Sequence, residues 1–299
     1  MQLTGWFKAY KPAGITSNQL VTRARKALQT KKIGHTGTLD SFAEGLMIML
    51  VGRATSLADF FLHGDKAYRA TFQLGTTTDT HDPEGSVIAS CEGTAIRTRL
   101  VEQEQLIIAG FEDLCACTAQ VPPVYSALKR QGRRYSDLAR QGMILEPPTR
   151  VIKVTESRVE HVDPERLQIR VYLHVSGGTY IRAFARDLAL SLQLPMHVCK
   201  LERLQIKHLS LDQKQVWQPI ENSVPHIQAI PALIPTWPQV RLDCPGDQED
   251  LRHGRLMQLA GSQDLNEGQD FFIMDSDGAH CLAWAQKTGP GWQYRRIFI

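Results

Sequence analysis

Asp40 is the first carboxylate in the chain. It stands at the end of a glycine- and threonine-rich turn, Lys32-Ile33-Gly34-His35-Thr36-Gly37-Thr38-Leu39-Asp40. The thirty-nine residues before it carry seven Lys or Arg and no Asp or Glu. Basic residues draw in a polyanion, and a single carboxylate held in a turn beyond them can act on it as nucleophile or base. The plainer alternative is a tight turn closed by an Asp side chain bonding its own backbone.

The elements that must position this turn can be read from pattern. Ser17 reads as a helix N-cap. Leu20, Val21, Ala24, Ala27 and Leu28 then repeat at helical spacing and predict a helix over about Asn18 to Gln29, with Arg23, Arg25 and Lys26 facing outward. Gly45 to Gly52 is short, apolar and glycine-bounded, as in a strand buried on both faces. Thr55 or Ser56 is expected to cap a short helix with Leu57, Phe60 and Phe61 inward and Gly64 at its end. Lys66 to Leu74 alternates as a strand, with Tyr68, Ala70, Phe72 and Leu74 on one face. Thr76 to Gly85 reads as a polar loop and Thr94 to Gly110 as a helix. Val151 to Ser176 reads as two strands joined near Asp163-Pro164, and a helix follows from about Thr179 to Leu192. Pro219, Pro225, Pro231, Pro235 and Pro238 mark a linker, and the stretch from about Val240 is hairpin-rich. Helices and strands alternate without a βαβ rhythm. The expected class is therefore α+β, with a mixed central sheet flanked by helices over 1–230 and a small β domain over 238–299.

Composition bounds the function. The 299 residues are 42% hydrophobic and 22% charged, with a net charge of +3, as in a soluble globular protein. Affinity for nucleic acid must then come from local patches. One is the N-terminal run of Lys8, Lys11, Arg23, Arg25, Lys26, Lys31 and Lys32. The other is Lys129-Arg130-Gln131-Gly132-Arg133-Arg134 with Arg140, beside Tyr125 and Tyr135. The six cysteines, Cys91, Cys115, Cys117, Cys199, Cys244 and Cys281, form no C-x-x-C pair. Neither a zinc site nor a disulfide framework is expected, and reduced thiols fit a cytosolic protein. The longest apolar run, Leu46 to Val51, is too short to span a bilayer.

Five segments stand in order: Lys11-Pro12-x-Gly14-x-Thr16-Ser17; Gly34-His35-Thr36-Gly37-x-Leu39-Asp40-x-x-Ala43-x-Gly45; Lys66-x-Tyr68 with Leu74-Gly75-x-x-Thr78-Asp79-Thr80-x-Asp82-x-x-Gly85; Tyr125-Ser126-Ala127-Leu128-Lys129 with Gly132, Tyr135, Ala139-Arg140 and Gly142; and Gly178-Thr179-Tyr180-Ile181-Arg182 with Asp187-Leu188, His197-Val198 and Leu201-x-Arg203. Together they resemble the TruB-type tRNA pseudouridine synthases, bacterial type, from about Lys11 to Leu209. The C-terminal stretch more loosely resembles a PUA-like RNA-binding domain. Two positions depart from the family pattern: Tyr10 where the family has Asp, and Ser41 where it has Pro.

The resemblance implies the pseudouridine synthase fold and isomerisation of a uridine in the tRNA T-loop, at position 55, on a flipped-out base. That reaction exchanges one bond for another with no redox change, so no cofactor is required. The resemblance assigns the nucleophile to Asp40 and its cationic partner to Arg182, which without the motif would be read as a surface helix residue. Tyr68 is the candidate stacking residue and proton-transfer aid, with Tyr180 and Leu201 as further walls. Core packing is the alternative for each of these three. His35 is read as an RNA contact and not a metal ligand, Lys11-Pro12 as a buttress of the active-site loop, and Asp79 as either reaching the site or closing its own turn, the turn being preferred. The partner implied is tRNA through its T-arm, with no membrane, no metal, no obligatory protein partner and a cytoplasmic location. The alternative from another class is a non-catalytic tRNA-binding or tRNA-remodelling protein using the same surface.

Overall fold

A computed structural model describes residues 3–126, 128–131, 133–135, 138, 141, 143, 147–211, 216–220, 223–242, 247–255 and 259–299. Ala127, Gly132, Ala139, Arg140, Gly142 and Cys244, named above, lie outside the described residues. The expected mixed central sheet is present. Its strands run in the order Val154–Asp163, Gln168–Val175, Lys66–Leu74, Met196–Ile206, Glu44–Val51, Gly5–Lys11 and Val216–Trp217, with Ile33–His35 and Leu209–Ser210 pairing on at the side. Two junctions are parallel: Met196–Ile206 against Glu44–Val51, and Gly5–Lys11 against Val216–Trp217. The other junctions of the sheet are antiparallel.

The strand Glu44–Val51 explains how the layers stack. Strand side chains alternate between faces, and here both faces are apolar. Met47, Met49 and Val51 join the core that holds Leu20, Val21 and Ala24 of one helix and Ile181, Phe184 and Leu188 of another. Leu46, Ile48 and Leu50 face the opposite way, into a second core with Leu57, Phe61, Ile230, Leu233, Phe272, Met274 and Phe298. A second, four-stranded sheet, from Gln239–Arg241 through Gly291–Ile297, thus packs on the back of the first. The expected hairpin is there: Asp270–Met274 pairs antiparallel with Cys281–Thr288. Asp275 Oδ1 closes its turn by accepting from the backbone N–H groups of Ala279 and His280, at 2.7 and 3.0 Å.

Several local expectations change. The first helix is Ser17–Ala27 and its cap is Thr16, not Ser17. Thr16 Oγ1 accepts from Gln19 N and Gln19 Oε1 accepts from Thr16 N, a capping box. Ser17 is occupied elsewhere, as described below. Thr55 and Ser56 do not cap the short helix Ala58–Leu62; their hydroxyls bond back to Gly52 O and Arg53 O within a preceding 3₁₀ turn, Gly52–Leu57. The single helix expected over Thr94 to Gly110 is two, Gly93–Glu102 and Glu104–Glu112. They are separated at Gln103, whose φ of −126° and ψ of 25° leave the helical region. No Gly or Pro marks that break, so periodicity alone runs through it. The proline segment expected as a linker packs instead. Trp6 and Gln228 exchange two backbone hydrogen bonds, Trp6 Nε1 donates to Ala229 O at 2.9 Å, and Trp237 lies 5.2 Å from the rings of both Phe60 and Trp284. The apolar residues between the prolines, Ile230, Leu233 and Ile234, are what the segment buries.

Candidate active site

Three adjacent strands bring the site together. Arg203 lies in register between Gly45 on one neighbour and Tyr68 on the other. The approach at Gly45 is so close that a Cβ there would sit 2.4 Å from Arg203 O, and its φ of +109° is also one that only glycine adopts readily. Arg203 is 1% exposed. Its Nε donates to Leu46 O at 2.8 Å and its Nη2 to Gly37 O at 3.0 Å. A buried, forked donor thus anchors the turn that leads to Asp40.

The flanks of Asp40 are anchored by the first segment. Ser17 Oγ donates to Leu39 O at 3.0 Å and accepts from Leu39 N at 2.9 Å, a two-point hold on the preceding residue. On the other side Ser41 O accepts from Gly14 N at 2.8 Å and from Lys11 Nζ at 3.2 Å. Lys11 Nζ also donates to Ile15 O at 2.6 Å and Pro12 O at 3.0 Å, so its three N–H groups meet three carbonyls. Burial pushes the Lys11 ammonium down to about 8, partly offset by Asp40 and Glu84. Above that pH the neutral amine has two N–H groups for three acceptors. We therefore expect single-turnover activity to fall above about pH 8 in a profile taken from about pH 6 to pH 10. The folded state binds the Lys11 proton more weakly than the unfolded chain. Between about 8 and 10.5, then, the unfolded chain holds more protons, and this group adds stability as pH rises. The fall should accordingly appear without a drop in melting temperature arising from Lys11, and a flat profile would show that its charge is dispensable.

Arg182 is 3% exposed, although it lies in the first turn of its helix, Ile181–Ser191. Its Nε donates to Asp40 Oδ2 at 2.8 Å and its Nη2 to Asp40 Oδ1 at 3.3 Å. Nη1 donates to Thr80 O and Nη2 to Tyr125 O, each at 2.9 Å. A second carboxylate, Asp82, stands 3.2 Å from Nη1. Asp40 and Asp82 differ sharply in setting: the Asp40 side chain is 40% exposed and that of Asp82 6%. Burial pushes the Asp82 carboxyl up, and Thr80 and Arg182 oppose that rise. One guanidinium is thus held by two backbone carbonyls and a buried carboxylate while presenting an accessible carboxylate to solvent.

Asp40 and Arg182 border two cavities. The smaller, of about 210 Å³, is walled by Leu39, Tyr68, Tyr180, Leu201 and Arg203 as well. It falls below the roughly 300–1,000 Å³ of pockets for drug-sized ligands, a size suited to a single flat ring. Burial pushes the Tyr68 phenol up, against the opposing pull of Arg203, so it is held protonated. The larger cavity, of about 580 Å³, is polar and is lined by Thr16, Asn18, His35, Ser41, Asp79 and Glu84 among others. His35 Nδ1 accepts from Gly37 N at 3.2 Å, and burial and Arg203 hold the ring below its usual range, hence neutral. Asp79 Oδ1 accepts from Ser86 N at 2.9 Å, closing its own loop. Lys11 and Pro12 line neither of these two cavities.

The sequence pattern assigned Asp82, Arg203, Ser17 and Glu84 no role in the site. For Arg203 a signal existed: Leu201 and Arg203 are two apart on a strand and so share a face. Ser17 was masked by its resemblance to a cap, and Asp82 stood beside Asp79, the more obvious turn residue. Among the described residues, no cluster of His, Cys, Asp and Glu could hold a metal ion, and no helix is long and apolar enough to cross a membrane.

Residues 25–181 match the model of the TruB family pseudouridylate synthase N-terminal domain. The chain is 34% identical to tRNA pseudouridine synthase B of Leptospira interrogans serogroup Icterohaemorrhagiae over 300 residues, covering 99% of this chain and 94% of the relative. It is 38% identical to tRNA pseudouridine synthase B of Bordetella avium over 204 residues, 68% of this chain and 80% of that one. In three dimensions it resembles a chain in the crystal structure of a Cbf5-Nop10-Gar1 complex, with a TM-score of 0.66 and 20% identity over 99% of this chain and 85% of that one, a likeness of fold. The residues gathered around Asp40 and the matched relatives lead to one conclusion: this chain belongs to the TruB family of pseudouridylate synthases.

Proposed function

We propose that this protein converts uridine to pseudouridine in tRNA, at the T-loop uridine, with Asp40 as nucleophile. The observation that carries the reading is the bidentate Arg182–Asp40 pair, set between a small, partly aromatic cavity and a larger polar one. The reaction breaks the N1–C1′ bond, forms a C5–C1′ bond, moves a proton off C5 and returns one to N1. An ionised carboxylate can hold the nucleotide covalently while the freed base turns. Arg182 keeps its charge when desolvated and orients both oxygens of Asp40. The base must leave its stack to reach Asp40, at a cost of a few kcal/mol. Tyr68 and Leu201 offset that cost by contact with the flipped ring. A protonated Tyr68 serves better as a hydrogen-bond donor and stacking surface than as a base in its ionised form.

His35, with its Nε2 free to donate, and the polar lining of the larger cavity are placed to meet the nucleotides beside the target. On this reading 1–230 is the catalytic unit, 238–299 an RNA-binding unit, and the protein works in the cytoplasm on tRNA. The test is pseudouridine mapping of unmodified tRNA after incubation with the purified protein. A single new pseudouridine in the T-loop is expected; modification elsewhere only, or none, would overturn the assignment.

A further inference from the structure

The residue after the nucleophile carries a contact that the reaction as described does not use. Ser41 Oγ donates to the Glu84 carboxylate, bonding both of its oxygens, with Oε2 at 2.6 Å. Glu84 is exposed and lines the larger cavity. A negative charge at the mouth of a cleft that receives a polyanion works against binding, so its presence calls for another role.

Tracing the bonds shows one. Asp40 is bonded to Arg182. Arg182 is paired with Asp82. Asp82 Oδ1 accepts from Glu84 N at 3.0 Å. Glu84 accepts from Ser41, which is covalently next to Asp40. The result is a closed ring of bonds around the guanidinium. It links the nucleophile turn to the Asp79–Gly85 loop, which supplies two of the Arg182 acceptors, Thr80 O and Asp82. Without the Ser41–Glu84 link, the two loops meet through Arg182 alone in this ring. Ser41 stands where the family pattern has Pro, so a ring-stiffened backbone is replaced here by a side-chain bond.

We propose that Ser41 and Glu84 are positioning residues: a latch that fixes Asp40 against Arg182 by tying together the two loops that flank the guanidinium. The inference rests on the activity proposed above. Because Ser41 is half-buried and Glu84 exposed, their loss should act on geometry more than on folding.

The test measures single-turnover rate, tRNA Kd and melting temperature for Ser41→Ala, Glu84→Ala, Glu84→Gln and the double alanine variant. Each alanine variant should lose about tenfold in rate, the scale set by one lost hydrogen bond to a charged group. Melting temperature should be unchanged, and Kd should stay level or, where the Glu84 charge is removed, tighten. Glu84→Gln keeps an acceptor and should stay within about threefold of wild type. The double variant should be no slower than the slower single one, the signature of one shared interaction. Wild-type rates in both single variants, losses that multiply in the double variant, or an effect confined to Kd would overturn the latch. A wild-type protein that forms no pseudouridine would instead overturn the activity beneath it.

Discussion

Asp40→Asn should abolish pseudouridine formation, by about 10⁴-fold or more, the scale on which removal of a nucleophile acts. The amide keeps the shape of the carboxylate and can still accept from Arg182, but it is no longer an anionic nucleophile. Folding should be nearly untouched. The Asp40 side chain is 40% exposed, and Arg182 keeps its buried partner Asp82 at 3.2 Å, so no unpaired charge is left in the interior. Affinity for tRNA should stay level or tighten, because one negative charge facing the phosphates is gone. Rate, melting temperature and binding measured on the same preparation separate these effects. Turnover near wild type would remove Asp40 from the mechanism, and a collapsed melting temperature would make any loss of rate uninterpretable as chemistry.

Arg182→Ala should fail twice over. The guanidinium satisfies both oxygens of Asp40 and the carbonyls of Thr80 and Tyr125, and it balances Asp82. Its removal leaves Asp82 buried without a cation, which should cost about 3–5 kcal/mol of stability. Burial already pushes Asp82 up, so the variant should take up a proton there and lose less stability at acidic pH than at neutral pH. Arg182→Lys retains the charge but supplies a point donor in place of a planar fork. It should fold better than the alanine variant, yet fall about 100-fold or more in single-turnover rate, because misplacement near 1 Å at a reacting group has that effect. Denaturant melts at mildly acidic and at neutral pH, together with rates for both variants, check this. Equal rates for the lysine variant and the wild-type protein would show that charge alone suffices.

The reading of the sequence went furthest where a residue's type is tied to its backbone. The glycine-bounded strand, the alternating Lys66 to Leu74 segment and the hairpin at Asp275 to Gly278 follow from local sterics and patterning, and the mixed sheet follows from their order. What pattern could not reach was long-range partnership. Whether Arg182 is a surface charge or a buried hub depends on Thr80 and Tyr125, which are distant in sequence and meet it only in the folded chain. Ser17 illustrates a different failure. Local statistics make a serine before a helix a cap, yet its hydroxyl is claimed by Leu39, twenty-two residues away, and Thr16 takes the cap. The proline segment likewise reads as a spacer because its turn residues are visible locally, whereas the core waiting for Ile230, Leu233 and Ile234 is built from distant strands.

The two-sided burial of Glu44–Val51 has a practical bearing on how the C-terminal sheet can be studied. The strand begins a few residues beyond Asp40, and its rear side chains, Leu46, Ile48 and Leu50, rest against Phe272, Met274 and Phe298. Cutting the chain near residue 238 would therefore strip the greasy underside of the catalytic scaffold and invite aggregation. A truncated enzyme that fails to act on tRNA would report a ruined foundation as readily as a lost docking surface. Charge reversal at solvent-facing positions of the last strand, such as Arg295 and Arg296, leaves that foundation intact and tests whether the small sheet contributes to RNA binding.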